Sequence, residues 1–185
     1  LRTGAITVDN DFPKIAAKTT ATTEYLVVWE TDTTANNYAP LATSNTDIVF
    51  RRVSAAGVAQ GAANVTLQNG TQTETLPDAS WSSTDNKYVI TWSEGTSTVF
   101  TAVVHDIYMA QVDAGTDTIS ANSLQGTNTT TSEFAPSIAS RGGTSQSVVF
   151  YCDLEIGVEF RWPVRIAFFH SIRDTIGPVG FCAIP

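Results

Sequence analysis

Charge is scarce in this chain. Only 15% of its 185 residues are Asp, Glu, Lys or Arg, against roughly a quarter in an ordinary soluble domain. The 18 acidic and 10 basic residues leave a net charge of −8. That sign argues against nucleic acid as a partner, because a phosphate backbone demands a basic stripe. Here the basic residues are scattered, with Arg51-Arg52 the only adjacent pair. An anionic membrane surface is disfavoured for the same reason. No run of 18 apolar residues occurs, so no membrane-spanning helix is read. The two histidines, His105 and His170, show neither HxH nor HExxH spacing, which removes the usual zinc signatures. No GxSxG elbow supports a serine nucleophile. Two cysteines exclude a disulfide-dense scaffold but allow one bridge, Cys152 to Cys182. It would close a loop of about 30 residues and add roughly 3 kcal/mol; two buried thiols are the alternative. Helical stripes with caps are also missing.

In place of charge there is Thr, Ser and Asn, as in KTTATTE (18–24), TDTTANN (31–37) and TNTTTSE (127–133). Hydroxyl-rich surfaces suit strands, since Thr is β-branched, and are frequent on secreted proteins. Short runs of Val, Ile, Tyr, Phe and Trp alternate with these loops, and they repeat. EYLVVWE (24–30) returns as KYVITWSE (87–94), and DIVFRRVSAAG (47–57) as DIYMAQVDAG (106–115). FPKIA (12–16) returns as LPDAS (76–80) and APSIA (135–139). Trp29 to Trp92 is 63 residues; Asp47 to Asp106 and Pro77 to Pro136 are 59. A period near 60 built of short strands predicts a β repeat array.

Each unit reads alike. A proline opens the first strand, where a missing N–H is harmless. A nearly continuous apolar strand ending in Trp follows, of the kind buried on both faces. Asp-Ile begins the third strand, and Gly57 or Gly115 makes the next tight turn, where positive φ suits glycine. Strands are expected near 13–17, 24–30, 47–53 and 63–68; near 77–82, 87–93, 98–113 (one strand or two) and 118–124; and near 136–140, 146–152, 156–169 (again one or two) and 172–176. The three units run roughly over 12–70, 76–126 and 135–176 of one all-β domain spanning 1–185. In the third, SVVFYCD (147–153) matches the Trp strand with Tyr151 in the Trp slot, and only Arg165-Ile166-Ala167 echoes Asp-Ile. The tail 177–185, GPVGFCAIP, is apolar and uncharged, as an added strand for a neighbour would be. Leu1 is not a start Met, which suggests a processed mature chain, although a trimmed one would read the same. The opening TGAITVDND aligns with the segments before the second and third prolines, an offset that fastens closed propellers.

The pattern Pro13, Ile15, Ala16, then Tyr25 to Glu30, then Asp47, Ile48, Val53, Ser54, Ala55 and Gly57 resembles the blade repeats of secreted bacterial and archaeal β-propeller surface proteins. The second unit matches at Pro77, Tyr88, Trp92, Glu94, Asp106, Ile107, Val112, Asp113, Ala114 and Gly115. The resemblance implies about three four-stranded antiparallel units in a propeller-like array, with a β-sandwich as the alternative. Propellers have four to eight blades, so three units imply self-association, for instance as two chains making six.

Candidate chemistry is sparse. Asp32, Asp47, Glu94 and Asp106 border matching loops and are the candidates for calcium, the one cofactor these residues suggest; no DxDxDG loop is present, and turn capping by Asp47 and Asp106 is the plainer reading. Trp29, Trp92 and Tyr151 belong to the core, whereas Trp81 and Trp162 lie off that slot and are candidates for a sugar-binding face. Asn64, Asn69 and Asn128 head glycosylation sequons. The expectation is an extracellular, non-enzymatic structural protein that associates with itself into a surface filament or layer. The alternatives are a lectin-like module for glycans and, more remotely, a secreted glycoside hydrolase.

Overall fold

A computed structural model describes residues 9–20, 23–32, 46–61, 63–67, 72–96, 104–125, 131–154 and 164–170. They form β1 (Asp9–Lys18), β2 (Glu24–Asp32), β3 (Thr46–Ser54), β4 (Val65–Thr66), β5 (Thr73–Ser82), β6 (Lys87–Gly95), β7 (His105–Asp113), β8 (Ile119–Gln125), β9 (Ser132–Ser140), β10 (Gln146–Leu154) and β11 (Val164–His170). Three antiparallel sheets result, ordered β1-β2-β3-β4, β5-β6-β7-β8 and β11-β10-β9. The chain is all-β and each sheet is a meander of sequential neighbours. Gly57 and Gly115 turn at φ 77° and 80°, as the repeated Ala-Gly endings predict. β4 covers residues 65–66 of the strand expected at 63–68, and β7 covers 105–113 of that expected at 98–113, whose residues 98–103 lie outside the described ones. That expected at 172–176 lies outside the described residues, as do the tail and residues 1–8.

The prolines do not open their strands. Pro13, Pro77 and Pro136 lie within β1, β5 and β9, each after a residue with left-handed backbone: Phe12 (φ 49°), Leu76 (φ 54°) and Ala135 (φ 50°). Pairing breaks there, between Asp11 and Lys14, between Thr75 and Asp78, and in β10 between Phe150 and Cys152. A bulge interrupts the ladder at this position, so the proline withholds no N–H that the ladder needs. A left-handed non-glycine is strained by roughly 1–3 kcal/mol, and its recurrence at one position of every unit marks the bulge as part of the repeat.

The sheets stack face to face with the second in the middle. Leu26, Val28, Ile48 and Phe50 of the first sheet pack on Ala79, Tyr88, Ile90 and Trp92 of the second. The opposite face of the second sheet, Val89, Ile107 and Met109, packs on Ile138, Val149 and Tyr151 of the third. The alternation of strands divides each sheet into these two faces. One relationship generates both interfaces: β5 packs across β1, β2 and β3, and β9 across β5, β6 and β7. Side chains of β5 and its turn also hold β9 and its turn sixty residues on. Asp78 Oδ2 accepts from Ile138 N (2.9 Å) and Ser137 Oγ (3.0 Å), Ser80 Oγ from Ser140 N (2.8 Å), and Asp85 Oδ1 from Ser145 Oγ (2.7 Å). The sequence period is therefore a spatial one.

Candidate functional site

Three places carry chemistry: a buried carboxyl cluster, a cavity beside Trp81, and the two outer sheet faces.

The cluster follows from register. Glu74 pairs with Glu94 across β5 and β6, and Glu94 with Asp106 across β6 and β7, so one rung carries three acids on one face. Asp47 of β3 reaches the same place from the first sheet, where Thr46 Oγ1 also donates to the Glu74 carbonyl (2.7 Å). Glu74 is fully buried and Asp47 is 8% exposed. Burial first, and then the charges of Glu94 and Asp47, push the Glu74 carboxyl up to about 9, so it holds its proton at neutral pH. Burial also raises Asp47, opposed by its interaction with Glu74. It raises Glu94 too, against the Trp92 indole N–H that donates to Glu94 Oε2 at 3.2 Å. Asp47, Glu94 and Asp106, three of the four calcium candidates, thus converge with Glu74, which motif reading missed because only strand pairing brings it there. Asp32 ends β2, opposite Thr46. Among the described residues no three His, Cys, Asp or Glu side chains are placed to hold a metal ion. Asp47 and Asp106 lie within β3 and β7.

Three further buried groups join the sheets. Glu30, 8% exposed, accepts from Thr75 Oγ1 and from Leu76 N at the β5 bulge. Arg52 of β3 donates to Glu24 Oε2 (2.8 Å) and Asp117 Oδ1 (2.9 Å), tying the turn after β7 to the first sheet. His105 is fully buried and its Nδ1 meets Ser132 Oγ at 3.2 Å. Its ring lies over Gly95, where a Cβ would come within 2.5 Å of Cδ2.

A cavity of about 390 Å³ opens where β1, β5 and β9 converge, lined in part by Thr19, Ser80, Trp81, Ser83 and Ser140. Trp81 is half-buried, with the Tyr88 ring 5.1 Å away and Lys18 Nζ 5.7 Å above its own ring. Trp81 lines the cavity together with the neighbouring hydroxyls. Asn64 is exposed, and its Oδ1 accepts from Arg51 at 3.3 Å. Cys152 is a half-buried free thiol whose pKa burial raises. Trp162, Cys182, Asn69 and Asn128 lie outside the described residues.

The outer faces show their nature by comparison along the repeat. Ile15, Ala79 and Ile138 are equivalent, two residues after their prolines. Ala79 is 9% and Ile138 7% exposed against the preceding sheet, whereas Ile15 is 66% exposed. Pro77 and Pro136 are buried and Pro13 exposed. Trp92 and Tyr151 are buried, and Trp29, in the same slot, is half-buried with its indole N–H on Asn10 Oδ1 (2.9 Å). At the other end, Val28 and Thr91 are fully buried on the next sheet, while their equivalent Phe150 is 39% exposed.

No protein-family model and no curated protein matches the chain. Among solved structures it is similar to an α-L-arabinofuranosidase from Podospora anserina in complex with cellotriose. The identity is 11% and the TM-score 0.34, covering 98% of this chain and 70% of that one. It is also similar to the catalytic domain of an α-L-arabinofuranosidase from Coprinopsis cinerea, at 10% identity and TM-score 0.33, with the same coverage. At these TM-scores the likeness assigns this chain no reaction and no substrate. It does overturn one expectation. Both similar structures are arabinofuranosidases, so the reading of this chain as non-enzymatic no longer stands. That reading rested on missing local motifs, and acids brought together by strand pairing leave no such motif.

Proposed function

We propose that this is an extracellular β-repeat protein that associates with further copies of itself through the outer faces of its first and third sheets. One observation carries the reading: the positions buried between neighbouring sheets, Ala79 and Ile138, have an exposed apolar equivalent, Ile15, on the first sheet. Phe150 supports it from the other end. The resemblance to secreted propeller repeats, the scarcity of charge and the exposed sequon at Asn64 favour the extracellular setting. Light scattering across a concentration series, with negative-stain imaging, tests it. Species of two or more chains are expected; a monomer at every concentration overturns the reading.

A second reading, saccharide binding, has the cavity beside Trp81 in its favour. Polar walls with one aromatic side chain suit a hydroxylated ligand. Glycan-array binding that Trp81→Ala weakens at least tenfold supports it. Unchanged binding by that variant, or none by either protein, removes it.

A further inference from the structure

Resting on the self-association just proposed, we infer that the joint between copies is head-to-tail: β1 of one copy packs across β9, β10 and β11 of the next. Only one polarity occurs inside the molecule. β5 lies across β1, β2 and β3, the first three strands of the preceding sheet, and β9 lies in the same way across β5, β6 and β7. In both cases the proline-bearing first strand and the Trp-slot face of the later sheet cover the opposite face of the earlier one. The face of the first sheet that carries Ile15, Val27 and Trp29 is of the covering kind. The face of the third sheet that carries Val148 and Phe150 is of the covered kind. These two surfaces are different and complementary, so the contact that continues the stack is heterologous. Two like faces placed together would meet with a polarity that neither internal interface uses.

The occupant of each face is therefore the other end of a second copy. The apolar residues match in position: Ile15 takes the place that Ala79 and Ile138 hold against their preceding sheets, and Phe150 is the equivalent of Val28 and Thr91, both fully buried. A heterologous joint closes into a ring or continues as a fibre, depending on the rotation per copy. Either form has one Ile15 face and one Phe150 face in every contact.

The test uses the full chain with Ile15→Asp or Phe150→Asp. Both sites are exposed, so each variant is expected to keep the wild-type melting temperature as a monomer; Ile15→Ser and Phe150→Ser replace them if either fails to fold. Each variant alone is expected to lose at least about tenfold in association, since a carboxylate at a packed apolar contact must be desolvated. Mixed in equal amounts, the two are expected to form a discrete dimer and nothing larger. The intact first-sheet face of Phe150→Asp then docks on the intact third-sheet face of Ile15→Asp. If the wild type associates but the mixture stays monomeric, or if either variant alone still forms dimers, the head-to-tail joint is overturned while self-association survives. If the wild type never associates, both fall.

Discussion

At the residue scale the strongest constraint is Glu74. A carboxyl buried among Asp47, Glu94 and Asp106 holds its proton to about pH 9, whereas the unfolded chain releases it near 4.5. The folded pKa is the higher one, so folding takes up a proton between these values. The fold is then fully favoured below about pH 4.5 and loses stability as pH rises towards 9. The slope for one proton is up to about 1.4 kcal/mol per pH unit. Burial raises Asp47 and Glu94 in the same direction. Glu74→Gln keeps the shape of the protonated acid and has no proton to lose. It is expected to be more stable than wild type at pH 8, by about 1–3 kcal/mol, and nearly equal to it at pH 4. Urea unfolding at the two pH values checks this. A variant less stable than wild type at pH 8 would show that the carboxylate, not the acid, is the native form.

Elements depend on small side chains at fixed places. Gly95 faces His105 across the β6–β7 ladder, and a Cβ there would overlap the imidazole. Since His105 is fully buried and held by Ser132, the ring cannot swing out without abandoning β9. Gly95→Ala is expected to cost about 1–3 kcal/mol, the range for overpacking, and the double variant with His105→Ala to lose less than the two singles summed. Thermal melts of the three proteins check the coupling. At Gly115 no atom obstructs a Cβ but φ is 80°, so Gly115→Ala acts through the backbone alone, at about 1 kcal/mol. Gly115 could be read from sequence, because Ala-Gly after a strand is a local signal, whereas Gly95 could not, because its reason stands across the ladder. The same division runs through the rest. Strand order within a unit, the repeat and the core aromatics Trp92 and Tyr151 follow from local pattern. Trp29 repeats Trp92 in sequence yet is half-buried, because burial of that slot depends on which sheet lies before it. The acids Asp47, Glu94 and Asp106 could be singled out, but Glu74 could not, since only the β5–β6 register and the first sheet make it their neighbour. Pro13, Pro77 and Pro136 marked the first strands correctly and their edges wrongly, because a bulge lets a proline sit inside a strand.

For the whole molecule, stability should follow the stack. Among the described residues the main packing interfaces join neighbouring sheets, so the array behaves as a short chain of units joined by two interfaces. These interfaces differ in kind. Among the described residues the first and second sheets share the larger core, with Trp92, Tyr88 and Phe50, and are also joined by Arg52 to Asp117. The second and third share a smaller core and rely on polar side chains of β5 and its turn reaching β9. Asp78 is the chief of these, since one carboxylate oxygen receives both Ile138 N and Ser137 Oγ. Asp78→Ala leaves a backbone N–H without its acceptor, at a cost of about 1–3 kcal/mol. The loss should fall on one interface. Hydrogen exchange is expected to accelerate in β9 and β10 by roughly tenfold or more, with β2, β3 and β6 unchanged, because opening the third sheet leaves the larger core intact. Faster exchange in all three sheets to the same degree would mean that the stack opens only as one unit. If the change is confined to β9 and β10, the third sheet is the least firmly held, and docking a second copy on its Phe150 face should slow exchange there more than in the second sheet.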